Sequence, residues 1–539
     1  MTAAPAPPPE SCPLIAMVRP GGHALPPDAY GGKAANLARM ASLGIPVPPA
    51  FVLHIRLCQE YFASGGRLPG QVPGLLQQGI AHLEQQAGRG FGSTRRPLLL
   101  SVRSGAAVSM PGMMETVLNV GLNPDTLRGL ITMTGDPRFA WNTYHRFIVQ
   151  FAEVVSGHDP GIYREIAGDL EESAREKGHE YPDFMAEKQL AGSCLAGYAA
   201  TEGSTFPGEP ARQLEMAVEA VFRSWESPRA RAFRRMLPPP PVPGTAVTVQ
   251  AMVFGNLGLC SGAGVAFTRD PSTGEDRFLI DFLPGGQGED VVAGDHRMDA
   301  ARPPDLLMPG VSASLRDWGR LLEREYRDMQ DIEFTVEEGR LFFLQCRPGR
   351  RSPLAALRIA VDLVNEGTID PAKGLGLLEG VDVEGIRIQE IRGSETAVAR
   401  GVGASPGIAT GTIVLDPEKV GDRGGPGDAI LVREQISPDD LPVIARSAGI
   451  LSARGSRTSH AAVVARELGK VCIVSCPTLR INGDRGRCRI GSRTFREGEI
   501  LSLDGSSGLV YAGPIQVIAN RPEALLDEYR KWKEGSVAG

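Results

Sequence analysis

The chain has 539 residues, more than one hydrophobic core organises, so several domains are expected. Its formal net charge of −6 at pH 7 and pI near 5.9 exclude a general binder of nucleic acid or anionic membranes. No apolar stretch approaches the ~20 residues of a membrane span. The Ala- and Pro-rich start, Met1 to Glu10, lacks the basic and apolar regions of a secretion signal, so a cytoplasmic protein with a disordered tail over 1–19 is expected. The eight cysteines are scattered. Cys472 and Cys476 lie close together, but no second Cys/His pair stands at zinc-like spacing, so reduced thiols are expected. His23, His54, His82, His145, His158, His179 and His296 do not cluster and read as surface or packing residues.

Residues from about 20 mix apolar strand-like runs with glycine turns, the pattern of a nucleotide-binding α/β domain. Gly31-Gly32-Lys33 precedes an apolar helix ending near Gly44. Glycines, a lysine and a helix N-terminus together suit a phosphate, although the Walker A pattern is missing. Pro97 to Val102 reads as a strand, after which Arg103, Ser104 and Gly105 offer a guanidinium and backbone amides to polyphosphate oxygens. A buried structural ion pair is the alternative for Arg103. Ser109-Met-Pro-Gly-Met-Met-Glu115 reads as a glycine/methionine loop able to cover a ligand. Arg146 is either a further phosphate contact or a solvated helix residue.

From about 151 to 243 the pattern is helical and charged, with Gln213 to Phe222 a clear amphipathic helix. The prolines 238–241 make a stiff break. Strands are then expected at 246–253, 277–282 and 340–345. The loops Phe267 to Gly274 and Gln287 to Asp290 either hold phosphate or simply turn the chain. Asp331 and Glu333, two apart on one strand, share a face, and a hairpin through Glu338-Gly339 brings Gln345 towards them. Two carboxylates and an amide suit Mg²⁺-triphosphate; a solvent-facing strand is the alternative.

A helix near 354–366 and a polar connector (351–399 in all) lead to a compact α/β unit, 400–515, and a charged C-terminal helix within 516–539. In that unit Thr458 and Ser459, N-cap residue types, stand before His460 and a helix that reaches Gly469. The imidazole then sits at the positive end of a helix dipole beside backbone N–H groups, where a phosphate is favoured. An ordinary helix start is the alternative.

Several long segments are similar to the pyruvate phosphate dikinase family and, more distantly, to phosphoenolpyruvate synthase. They are GGKAANLARMASLGIPVPP (31–49), LLLSVRSGAAVSMPGMMETVLNVGLN (98–123), AVFRSWESPRA (220–230), GTAVTVQAMVFGN (244–256), DIEFTVEEGRLFFLQCR (331–347), RIAVDLVNEGTI (358–369) and TSHAAVVAR (458–466). They follow the family's order. The resemblance implies an α/β (α+β) multidomain protein: an ATP-grasp nucleotide-binding region over 20–350 with its helical insertion, then a swivelling phosphohistidine domain.

On matching positions, the resemblance implies that Lys33, Arg103 and Arg146 bind ATP phosphates and that Gln250 contacts the adenine side. Glu289, Asp331, Glu333 and Gln345 hold nucleotide, the last three with Mg²⁺, and Arg347 steadies the transferring phosphates. His460, helped by Thr458 and Ser459, attacks the β-phosphate of ATP. Inorganic phosphate takes the γ-phosphate, leaving AMP, pyrophosphate and phosphohistidine, which passes to a small-molecule or separate-chain acceptor.

The family's C-terminal barrel is not matched, so this chain alone is not expected to interconvert pyruvate and phosphoenolpyruvate. The usual Gly-Gly-Met before the Thr-Ser-His triplet reads Gly455-Ser456-Arg457, placing a charge beside the histidine. One alternative is a small-molecule phosphotransferase like the swivelling-histidine antibiotic enzymes. Against it, the stretch from 350 to 395 is too short for a separate acceptor domain of about 100–150 residues. Another is a non-catalytic nucleotide-sensing regulator, against which the intact Lys33, Arg103, Glu333, Gln345 and His460 speak.

Overall fold

The computed structural model describes residues 12–106, 115–176, 183–235, 244–293, 305, 308–393, 395–417, 428–436, 440–457, 459–482 and 486–537. The chain separates into two compact units, 1–253 with 342–345, and 254–341 with 346–539.

The first unit is built on a five-stranded sheet in the order Ile15–Val18, Ala50–Leu53, Ala246–Ala251, Leu100–Gly105, Thr116–Val120, each strand antiparallel to its neighbour. Ala50–Leu53 and Ala246–Ala251 are buried at every position, which is why they read as continuous apolar runs rather than alternating ones. Ile15–Val18 lies inside 1–19, the stretch expected as a tail. Its alternate burial, with Val18 packed inside, shows that this short apolar run has a face to hide and therefore pairs at the sheet edge.

Among the described residues, helices fill most of 124–176 and 184–235, starting ahead of residue 151. Local chemistry sets the first two. Asn123 forms a capping box with Thr126, and Asp136 Oδ1 accepts the Phe139 N–H at 2.9 Å. The amphipathic helix Pro210–Ser224 is clamped to the sheet by buried Gln213. Its Oε1 accepts the Gly121 N–H at 2.9 Å, and its Nε2 donates to the Leu122 and Pro207 carbonyls, both at 2.8 Å.

The second unit holds a four-stranded sheet in the order Arg340–Pro348, Gln330–Glu337, Gly262–Phe267, Leu279–Pro284. Gln330–Glu337 turns into Arg340–Pro348 through Glu338 and Gly339, both with positive φ, as a tight hairpin turn requires. The helix Pro353–Asn365, capped by Ser352, packs Ala355, Ile359 and Leu363 on one face of the sheet, against Ala263, Val265 and Phe267. Its Ala356, Leu357 and Val361 meet Leu526 and Trp532 of the C-terminal helix Glu523–Val537. The polar connector contains a strand, Ile388–Ile391, antiparallel to Val517–Asn520. The two chain crossings to the 400–515 module therefore run together as one ribbon.

That module has an eight-stranded sheet with a core on each face. One core lies towards the helices Leu441–Arg446 and His460–Glu467, and the other carries a small sheet, Arg480–Asn482, Arg487–Ile490 and Arg493–Arg496. Ala429–Arg433, Gly449–Ser452 and Val471–Val474 are parallel neighbours. The His460 helix is the crossover between the last two, so it begins beyond the carboxyl end of its strand. Among the described residues no helix is long and apolar enough to cross a membrane.

Candidate functional site

Five of the expected site residues lie in the first unit. Arg103 and Gln250 occupy adjacent strands: Ser101 is opposite Gln250 and Arg103 opposite Thr248, which puts both side chains on one face, diagonal to each other. Gln250 is buried and donates to the Pro48 carbonyl at 3.1 Å; Arg103 is half-buried. Lys33 lies in the first turn of the helix Gly32–Ser42, exposed, at the end of the Arg103 strand. The Gly32 N–H donates to the Ala106 carbonyl at 3.0 Å there. Only glycine fits at Gly31, whose φ is 80° and whose added Cβ would lie 2.1 Å from the Gly105 oxygen. Arg146 lies one turn before Gln150 on the helix Pro137–Phe151. Gln150 accepts the Leu118 N–H of the neighbouring strand at 2.7 Å, so Arg146 is on the sheet-facing side. Gln345 also goes with this unit. Of the glycine/methionine loop, Ser109 to Met114 lie outside the described residues.

In the second unit, Asp331 and Glu333 share a face of the four-stranded sheet with Asp281. Glu333 is opposite Val265, and Val265 is opposite Asp281 on the far side. The solvent-facing reading fails for Asp331, which is buried. Arg347 Nε donates to Asp331 Oδ2 at 2.9 Å, and its Nη2 lies 4.0 Å from Glu333 Oε1. Asp331 Oδ1 is buried and finds no hydrogen-bond partner among the described residues. Burial pushes the Asp331 carboxyl above the usual carboxylate range, even against the attraction of Arg347. A buried, half-satisfied carboxylate next to a second one is an arrangement a divalent cation completes. Among the described residues no group of three or more His, Cys, Asp or Glu is placed to hold a metal. Two carboxylates suit Mg²⁺, which keeps waters and takes substrate phosphates for its other positions.

The two loops left open between phosphate binding and turning differ from this site. Asp270 Oδ1 accepts the N–H groups of Ser272 and Thr273, and Arg269 is engaged by Glu323 and Glu366, so the 267–274 loop turns the chain. Gln287 is buried, its Oε1 accepting the Gly255 N–H at 3.0 Å. Glu289 lies in the helix Gly288–Ala293, its side chain outside the described residues.

His460 is the first residue of its helix, and Ser459 occupies the N-cap position. The Ser459 hydroxyl does not cap; it donates to the Ser456 carbonyl at 2.8 Å. The first-turn amides thus keep their capacity for an anion. The far end closes as a Schellman motif: Lys470 N–H donates to Ala465, Gly469 N–H to Arg466, with Gly469 left-handed. Thr458 and the His460 side chain lie outside the described residues.

Sequence reading missed Asp281 and Arg466. An acid inside the apolar run Phe278-Leu-Ile-Asp-Phe282 was the available signal, since lone buried acids are rare. Arg466 ends the Thr458–Arg466 motif. It is buried and donates to the carbonyls of Ala404, Arg457 and, at 3.4 Å, Arg350; its charge acts on Asp331.

The fold is that of an α/β multidomain chain. Residues 67–308 and 310–366 match the family described as Pyruvate phosphate dikinase, AMP/ATP-binding domain, and residues 425–508 match PEP-utilising enzyme, mobile domain. The chain belongs to the pyruvate phosphate dikinase family. It is 44% identical over 518 residues to Pyruvate, phosphate dikinase, chloroplastic, of Flaveria pringlei, covering 94% of this chain and 53% of that protein. It is 42% identical over 504 residues to Pyruvate, phosphate dikinase of Clostridium symbiosum, covering 92% of this chain and 57% of the relative. The chain spans about half the length of these curated relatives.

Proposed function

We propose that this chain transfers a phosphoryl group from ATP to His460, the loading half of a dikinase reaction, and passes it to an acceptor. The observation that carries the reading is the position of His460 at the start of a helix that follows the carboxyl end of a parallel strand. Ligands of open α/β sheets gather there, and the helix supplies uncapped amides to an anion. Neutral imidazole is a competent nucleophile near neutral pH. It attacks the β-phosphorus, and the bond from that phosphorus to the oxygen retained by AMP breaks. Inorganic phosphate then takes the γ-phosphoryl group away as pyrophosphate, leaving phosphohistidine.

Lys33, Arg103 and Arg146 neutralise the phosphates, Gln250 meets the adenine side, and Arg347 orients the groups in transfer. Glu289 and Gln345 complete the nucleotide contacts. Asp331 and Glu333, with Gln345, would hold Mg²⁺; the orphaned Asp331 oxygen fits that use. When bound, Mg²⁺ neutralises developing negative charge on the phosphates. Thr458 and Ser459 assist at the histidine. We place pyruvate, the compound in the relatives' names, as the acceptor, presented by a separate domain or chain. We assign the reaction to the cytoplasm, where eight free cysteines stay reduced.

Incubation with Mg-ATP, with and without phosphate, tests this by intact mass and AMP release. Wild type is expected to gain one phosphoryl group and His460→Ala none. AMP formed as fast by His460→Ala, with no adduct on wild type, would overturn the reading.

A further inference from the structure

We infer that Arg457 and Asp281 form a releasable latch that docks the mobile phosphohistidine module on the carboxylate-bearing face of the four-stranded sheet. Arg457 is thereby a positioning residue for His460. The inference rests on the loading reaction proposed above and adds to it the group that sets the docked geometry.

Arg457 lies in the segment matched as a mobile domain, and Asp281 in the segment matched as the nucleotide domain. Arg457 Nη1 donates to Asp281 Oδ1 at 2.7 Å, and the Arg457 backbone N–H reaches Oδ2 at 3.3 Å. One carboxylate therefore grips both the side chain and the main chain three residues before His460. Asp281 is 4% exposed at its side chain and Arg457 20%, so the pair is largely withdrawn from water.

The rest of Arg457 is braced from its own module. Its Nε donates to the Gly403 carbonyl, and its own carbonyl accepts from Arg466. Two neighbouring contacts cross in the same place: Ser456 Oγ donates to the Val291 carbonyl at 3.2 Å, and Arg466 Nη1 to the Arg350 carbonyl. Gly455, with φ 117°, is the bend that lets this segment leave its strand. Asp281 shares a sheet face with Glu333, two strand spacings away, about 10 Å. The latch thus lands the start of the histidine helix beside the carboxylates proposed to hold the metal.

The chemistry of the pair suits a contact that opens in each cycle. A desolvated ion pair gains little net energy over two hydrated charges, yet its geometry is strict. When the module leaves, both charges return to water and nothing is stranded. Removing Arg457 alone has the opposite result: Asp281 stays buried and unpaired in the docked state only, so docking is disfavoured.

The test compares wild type, Arg457→Met and Arg457→Lys. Single-turnover phosphohistidine formation at saturating Mg-ATP is expected to fall about tenfold or more in Arg457→Met and to be largely restored in Arg457→Lys. ATP affinity is expected to stay within about twofold, because among the described residues Arg457 contacts none of those expected to bind nucleotide. Small-angle scattering without nucleotide should give a larger radius of gyration for Arg457→Met than for the other two. Wild-type loading and wild-type scattering in Arg457→Met would overturn the latch. Absence of phosphohistidine in wild type would instead remove the functional reading, and the scattering comparison would then decide the latch by itself.

Discussion

Two arginines of the second unit, both near the Asp331 end of the four-stranded sheet, are held in opposite ways. Arg269, just past Gly262–Phe267, donates to Glu323 Oε1 at 3.0 and 2.8 Å and to Glu366 Oε2 at 2.7 Å, with Asp362 at ion-pair distance of 3.9 Å. Burial works against its charge, but the hydrogen bonds of Glu323 and Glu366 hold its pKa above the ordinary value. Arg347 is more exposed and meets a carboxylate that keeps one oxygen unsatisfied. A network whose carboxylates are spent on the arginine is architecture, whereas one that leaves a buried carboxylate oxygen open has room for a ligand.

Substitutions break or sharpen that contrast. Arg269→Met should have the largest effect, a loss of about 3 kcal/mol in urea denaturation, because it leaves Glu323 in a partly buried site without its counter-charge. An unchanged midpoint would remove the architectural assignment. Arg347→Met should lower phosphohistidine formation about a hundredfold, worth about 2.7 kcal/mol, and Arg269→Met far less under conditions where it stays folded. Equal loss of loading in the two variants would erase the distinction between the two arginines.

The smallest effect concerns pH. The folded Asp331 pKa is raised, so its proton-linked stability is full below the unfolded carboxylate pKa. It is lost as pH rises through the raised folded value. Asp331→Asn should therefore be slightly more stable than wild type at neutral pH, the gap closing in acid. Divalent-ion binding, which needs the ionised carboxylate, should weaken on acidification at a higher pH than for an ordinary aspartate. Titration with Mn²⁺ checks this; a midpoint at ordinary carboxylate pH would contradict the raised pKa.

Much of the site is legible in the order of residues alone. Asp331 and Glu333 are two apart, so a strand puts them on one face whatever surrounds it. Gly31 and Gly469 mark helix ends because each needs a backbone conformation other residues resist. The Ile15–Val18 strand is not legible, since four apolar residues decide nothing until a partner strand covers them. Asp270 and Arg269 read as charges in a glycine-punctuated loop. Only packing shows Asp270 turned back on its own loop and Arg269 gripped by carboxylates 54 and 97 positions away.

Local order along the chain therefore determined the frame of the candidate residues: the helix start at His460, the carboxylate strand and the glycine-lysine turn each follow from neighbours within one or two turns. Tertiary structure alone decided that Asp281 faces Arg457 and that one oxygen of Asp331 is left unsatisfied. These depend on groups 176 positions apart in one case and on burial in the other. Short-range sterics and hydrogen bonding are written in adjacent residues, whereas desolvation is a property of everything that packs around a site.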